Sequence, residues 1–134
     1  MGKKKILKDG KKPLMNFFFE MLINIKVAHL TTTSFAAHKA TDKLYDEIND
    51  LYDKFLEIYI GIYGRPMITD KQDIVYYKMN SESNEKLISF INLCINFLIK
   101  DIMEYISEKD TELLNIRDEM KGALNRTLYL LTLS

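Results

Sequence analysis

The chain has no tryptophan, one cysteine, two prolines, two histidines and five glycines in 134 residues. Each scarcity narrows the field. A single cysteine, Cys94, excludes an intrachain disulfide framework and suits a reducing compartment. Its place in the apolar run 87–106 reads as that of a small core residue. So few prolines and glycines, beside long apolar runs at helical spacing, point to an all-α protein. The start, MGKKKILKDGKK, lacks the apolar stretch of a secretory signal. The apolar segment 14–30 is interrupted by Asn16, Glu20, Asn24, Lys26 and His29, which argues for a buried helix rather than a membrane span. The expectation is a soluble, cytoplasmic protein with no membrane partner.

What is present is a core and an uneven charge. Apolar residues make up 47% of the chain, enough for one domain of this length. The formal charge is zero, with 19 basic and 19 acidic residues. Six of the basic ones, Lys3, Lys4, Lys5, Lys8, Lys11 and Lys12, fall in residues 1–12 with only Asp9 against them. The remainder holds 13 basic and 18 acidic residues, a net of −5. A basic arm (1–12) on an acidic domain (13–134) suggests contact with nucleic acid or another anionic surface. The arm has no aromatic to stack on bases, so any DNA contact would be non-specific and salt-sensitive. A plain solubilising tail is the competing reading.

Four helices can be placed. Pro13 suits a helix start, and the first helix runs from there to about Leu30. Thr31-Thr32-Thr33-Ser34 reads as a break with Ser34 as N-cap. The second helix spans about Phe35 to Tyr63 and stops at Gly64-Arg65-Pro66. Its core face holds Ala37, Leu44, Ile48, Leu51, Phe55 and Ile62. Residues 65–82 form a long connection, with Ile74–Tyr77 either a short helix or an extended piece. A third helix is expected over about Ser83–Ser107, and a fourth over about Thr111–Leu131 with Asp110 as N-cap. Two helices, a long crossover and two more helices make a ferritin-like four-helix bundle, with the crossover between helices 2 and 3.

The second helix also carries a polar stripe. His38, Asp42, Asp53 and Glu57 fall at roughly 0°, 40°, 60° and 100° around a helix turning about 100° per residue. Asp42 and Asp53 are about 16 Å apart along the axis, so the stripe holds two half-sites that one chain cannot join on one ion. A twofold axis near Asn49 would lay two copies antiparallel and bring His38/Asp42 of one against Asp53/Glu57 of the other. Mixed imidazole and carboxylate donors of that kind suit iron. The other reading is a solvated or interfacial polar face. No Glu-x-x-His occurs in the chain, so a ferritin-type site inside the bundle is not expected. Glu104, Glu108, Glu112, Asp118 and Glu119 read as solvated or interface residues.

His29, His38-x3-Asp42 and Asp53-x3-Glu57 together resemble the ferroxidase signature of the Dps proteins, the DNA-binding mini-ferritins. The resemblance implies di-iron sites across a twofold dimer interface, with His29, Asp53 and Glu57 of one subunit facing His38 and Asp42 of the other. It implies that two irons pass two electrons to peroxide, which protects nearby DNA, and that dimers assemble into a twelve-subunit shell. It also likens the Lys-rich arm to tails that hold DNA, giving a nucleoid-associated location. The segment between the two histidines is three residues shorter than in that family. Leu30 stands where a tryptophan is expected, and the turn has no glycine.

The stretch HLTTTSFAAHKATDKLYDEINDLYDKFLEIYIG and the ending NIRDEMKGALNRTLYLLTLS resemble small uncharacterised ferritin-like proteins of phages and large DNA viruses. That likeness implies a virus-associated protein. It leaves open a catalytically weak or inactive structural or DNA-binding role. Tyr45, Tyr52 and Tyr59 recur every seven residues beside the stripe. They read as dimer-interface packing, or as acceptors of oxidising equivalents that leave the iron site.

Overall fold

The computed structural model describes residues 6–79 and 82–133. Among them are four α-helices and no strand: α1 (Lys11–Thr31), α2 (Phe35–Tyr63), α3 (Glu85–Ile99) and α4 (Thr111–Leu131), with a short 3₁₀ turn at Asp101–Glu104. The helices pack as a bundle in which α2 lies against both α1 and α4, and α3 against α4. Phe18, Met21 and Ile25 of α1, Leu44, Ile48 and Phe55 of α2, Ile91 and Leu98 of α3, and Met120 and Leu124 of α4 are fully buried at its centre. Burying a side chain of this kind contributes about 1.5–3 kcal/mol. Phe17 stacks on Phe97 with ring centroids 3.7 Å apart, tying the N-terminal half of α1 to the C-terminal half of α3.

Local chemistry sets the helix ends. Ser34 accepts a hydrogen bond from the Ala37 N–H at 3.1 Å, and so caps α2. Gly64 ends α2 at φ 100°, a left-handed conformation that costs glycine little, and its N–H reaches the Ile60 carbonyl at 2.8 Å. The helix α1 starts at Lys11, two residues before the expected Pro13. The third helix is shorter than the sequence suggests, because the chain tightens into the 3₁₀ turn after Lys100, and this carries Ile102 and Ile106 into the core. The guanidinium of Arg117 takes the Leu98 carbonyl left over at that end, at 2.8 Å. Asp110, expected as an N-cap, makes no capping bond to α4. Its carboxylate accepts instead from the Ser107 N–H at 2.9 Å and from the Tyr63 hydroxyl, joining the end of α2 to the start of α4.

The expected core face of α2 is buried at Ala37, Leu44, Ile48 and Phe55 and half-buried at Leu51. Ile62 departs from it and is 45% exposed. It stands in the last turn of α2, beside Tyr63 and level with Asp110, where α4 has not yet begun to cover it. Tyr59 fills the core there at 2% exposure, which removes it from any dimer interface.

The segment between α2 and α3 forms no helix and no strand through residues 74–77, so the short helix is not seen there. It leaves from beside Lys11 and runs along α1. Buried Asn24 donates to the Val75 carbonyl at 2.9 Å and accepts from the Tyr77 N–H at 2.8 Å, while Glu20 accepts from the Val75 N–H at 3.2 Å. Met79, Ser83 and Leu87 then line one small cavity with Ala28 and Thr32, at the other end of α1. At the chain's beginning, Gly10 donates to the Tyr59 hydroxyl at 3.0 Å and the Lys8 N–H to the Glu104 carbonyl at 2.9 Å. Residues 8–12 of the expected arm are therefore docked or helical, while Lys3, Lys4 and Lys5 lie outside the described residues.

Candidate metal centre

The last turn of α1 and the first turns of α2 meet across residues 32–34, and three of the five expected ligands gather there. The ring of His29, 9% exposed, stacks on that of His38 with centroids 4.0 Å apart and an interplanar angle of 19°. The bonding is reciprocal. His29 Nδ1 lies 2.9 Å from the His38 carbonyl oxygen, and His38 Nδ1 lies 3.0 Å from the His29 carbonyl oxygen. A carbonyl oxygen only accepts, so each Nδ1 carries the hydrogen, and in the neutral rings both Nε2 atoms hold the lone pair. Thr41, buried and donating to the Ala37 carbonyl at 2.7 Å, sets its hydroxyl 3.4 Å from His29 Nδ1 on the core side. His29 Nε2 is 3.9 Å from Asp42 Oδ1.

This arrangement corrects one expectation. His29 groups with His38 and Asp42 of its own chain, not with Asp53 and Glu57. The short turn is the reason, since three non-helical residues leave no room to swing His29 away from His38. Asp53 and Glu57 stay farther along α2, both exposed, as are His38 and Asp42. Among the described residues no group of three or more His, Cys, Asp or Glu side chains is placed to hold a metal ion. The stripe therefore offers donors without closing a site by itself.

Its surroundings are mixed. Tyr45, Tyr52 and Leu56 are half-buried on α2 next to the stripe, and Phe19 of α1 meets Tyr52 edge-on at 6.0 Å. Lys26 sits 4.6 Å over the Tyr45 ring. Burial, then the nearby Asp53 charge, pushes the Tyr52 hydroxyl pKa up from 10.0. Asp42 also lines an open groove of about 570 Å³ between α2 and the end of α4, with Lys39, Lys43 and Leu130. Cys94 is 1% exposed, and burial pushes its thiol up to about 12, as befits a core residue and not a ligand. Of the acids expected to be solvated or at interfaces, Glu104 pairs with Lys8 and Asp118 with Arg117.

Two residues that matter here were not singled out by the sequence reading. Thr41 shows only as a polar side chain on the core face of an amphipathic helix. Asn24 reads as an interruption in an apolar run, although a buried amide must find partners and so marks a contact.

Residues 29–131 match a family of unknown function, DUF5856. One relative is the uncharacterized 14.6 kDa protein in the mobD-ri intergenic region of Enterobacteria phage T4, 50% identical over 46 residues. Those residues are 32% of this chain, which spans about a third (36%) of that relative's length. No solved structure matches. The expected link to phage proteins agrees with that relative. No helix among the described residues is long and apolar enough to cross a membrane.

Proposed function

We propose, from the premise that the chain belongs to DUF5856, that this protein is a ferritin-like bundle that oxidises Fe(II) with peroxide at sites shared by two antiparallel copies. One observation carries the reading: the reciprocal carbonyl bonds of His29 and His38 leave both Nε2 lone pairs free, with that of His29 3.9 Å from Asp42, on the end of a polar stripe that continues to Asp53 and Glu57. Each site takes His29, His38 and Asp42 from one copy and Asp53 and Glu57 from the other. The half-buried Tyr45, Tyr52 and Leu56 lie beside the stripe, where a second copy would cover them and exclude water. The run of residues 64–79 back along α1 supports a ferritin-like crossover, with α2 and α3 parallel.

Fe(II) is the substrate, and the donors suit it. Carboxylates give hard anionic oxygens, and imidazole is a borderline ligand. A ligating histidine ordinarily donates its other ring N–H to a carbonyl or carboxylate, as both rings do here. These bonds hold each Nε2 in place before iron arrives. Each of two Fe(II) ions gives up one electron, the O–O bond of peroxide takes the pair together with two protons, and two waters result. Lys3, Lys4, Lys5, Lys8, Lys11 and Lys12 contact DNA phosphates without sequence preference, which keeps this chemistry close to what it protects. Twofold pairs could build further, up to a shell of twelve, in the cytoplasm on the nucleoid or with a virus particle.

Anaerobic Fe(II) titration followed by peroxide tests the proposal. We expect two irons per chain and at least a tenfold loss (about 10–100-fold) in His38→Ala and in Asp53→Ala. A protein that neither retains Fe(II) nor speeds its oxidation overturns it. A second reading, a bundle without iron chemistry that coats DNA or lines a particle, draws on the lack of a three-donor group within the described residues of one chain. It predicts salt-sensitive DNA retention that needs residues 1–12 and is unchanged in the stripe variants.

A further inference from the structure

The end of the molecule opposite the histidine pair gathers cations. A cavity of about 380 Å³ lies between the first turn of α1 and the start of the connection after α2, lined by Lys11, Lys12, Arg65, Asp9 and Thr69 among others. Three positive side chains share it with one carboxylate. That carboxylate is engaged, since Asp9 Oδ1 accepts from the Lys11 N–H at 3.0 Å. The ion pairs of lysine and arginine among the described residues join Lys8 to Glu104, Arg117 to Asp118 and Arg126 to Glu47. None of them includes Lys11, Lys12 or Arg65.

Helix electrostatics makes the gathering harder to explain as packing. The first turn of α1 contains no acidic residue and its N-cap, Gly10, has no side chain, so Asp9 alone faces that helix end, while the turn itself carries two lysines. The positive end of a helix dipole disfavours cations by some tenths of a kcal/mol each. Lys11 has a structural reason to be there, because its ammonium lies beside Gly64 at the negative end of α2. Lys12 and Arg65 have no such partner. Positive charge from three side chains and a helix end, converging on one open cavity, is stabilised when an anion enters. Arg65 offers a planar fork of donors that matches phosphate oxygens, and Lys12 adds a mobile point charge.

We infer that this cavity is a phosphate-binding site that takes a backbone phosphate of double-stranded DNA, with Arg65 and Lys12 as its principal contacts. The inference rests on the DNA-contact part of the proposed function and extends it from the lysine arm to Arg65, which lies outside that arm. It also fixes a register, since a phosphate held here puts the duplex across the α1 N-terminus, away from the iron end.

The test is binding of a random-sequence duplex over a KCl series by the full chain, Arg65→Gln, Lys12→Gln and a Lys3/Lys4/Lys5→Ala variant, with Lys121→Gln on α4 as control. Inorganic phosphate is titrated in parallel at constant ionic strength and read by thermal shift. We expect Arg65→Gln and Lys12→Gln each to lower the slope of log K against log salt by about 0.9. Affinity at low salt should fall about three- to tenfold, with the melting temperature in chloride unchanged. Phosphate should stabilise the wild type and not Arg65→Gln. Wild-type DNA binding in both cavity variants, lost only in the arm variant, overturns the cavity and leaves the arm reading standing. Stabilisation by phosphate that Arg65 controls, without DNA binding, keeps the phosphate site with the free ion as its ligand and removes the arm reading. If neither ligand binds, both ideas fall.

Discussion

At the scale of single residues, polar side chains that look incidental in the sequence hold the molecule together. The Tyr63 hydroxyl donates to the Asp110 carboxylate, which also takes the Ser107 N–H. Burial first, and then that hydrogen bond, pushes the Tyr63 pKa from 10.0 up to about 12. A group whose pKa is raised by folding stabilises the native state below its unfolded value and ceases to do so as pH passes its folded value. Tyr63→Phe should therefore cost about 1–2 kcal/mol at neutral pH. The gap to wild type should close between pH 10.0 and about 12, where wild type loses what the variant never had. Urea unfolding of both proteins at neutral pH and near the top of that window checks this, and a gap that stays constant contradicts it. The same residue scale limits how far the site could be read in advance. His38, Asp42, Asp53 and Glu57 were legible because a single helix fixes their angles. The grouping of His29 was not, because it depends on how sharply the chain turns at residues 32–34.

At the scale of elements, α2 was the most legible part of the chain, because its boundaries carry their own chemistry. Ser34 is a side-chain cap and Gly64 a left-handed stop, and both act as their residue types suggest. Ser34→Ala should cost about 1 kcal/mol, within the range of about 0.5–2 for a lost cap. Because the capped turn is also the one that presents His38, the variant should weaken Fe(II) retention as well, which calorimetric titration reads beside the melting curve. A loss of stability with iron affinity intact would separate the cap from the site. The third helix was less legible. Its apolar run continues to Ile106, and nothing in the pattern marks the tightening after Lys100 by which Ile102 and Ile106 enter the core. Ile62 failed for a related reason: a helical wheel gives a direction but not where the neighbouring helix begins.

At the scale of the whole molecule, the two ends of α1 carry different chemistry. One end holds the stacked histidines and the other holds Lys11 and Lys12 beside Arg65, about 27 Å away for an 18-residue separation at ~1.5 Å per residue. Iron at one end and phosphate at the other would let a dimer carry out oxidation while bound to what it protects. The central claim is that each iron site is completed by a second copy. Complementation between two broken variants tests it most directly: His38→Ala/Asp42→Ala and Asp53→Ala/Glu57→Ala, each purified, then mixed in equal amounts and allowed to exchange subunits. Half of the resulting dimers should be mixed, and each of those should contain one complete site and one doubly broken site. Peroxide-dependent Fe(II) oxidation should rise from near zero in either variant alone to about a quarter of the wild-type rate in the mixture. No recovery on mixing, with subunit exchange verified, would contradict the shared site.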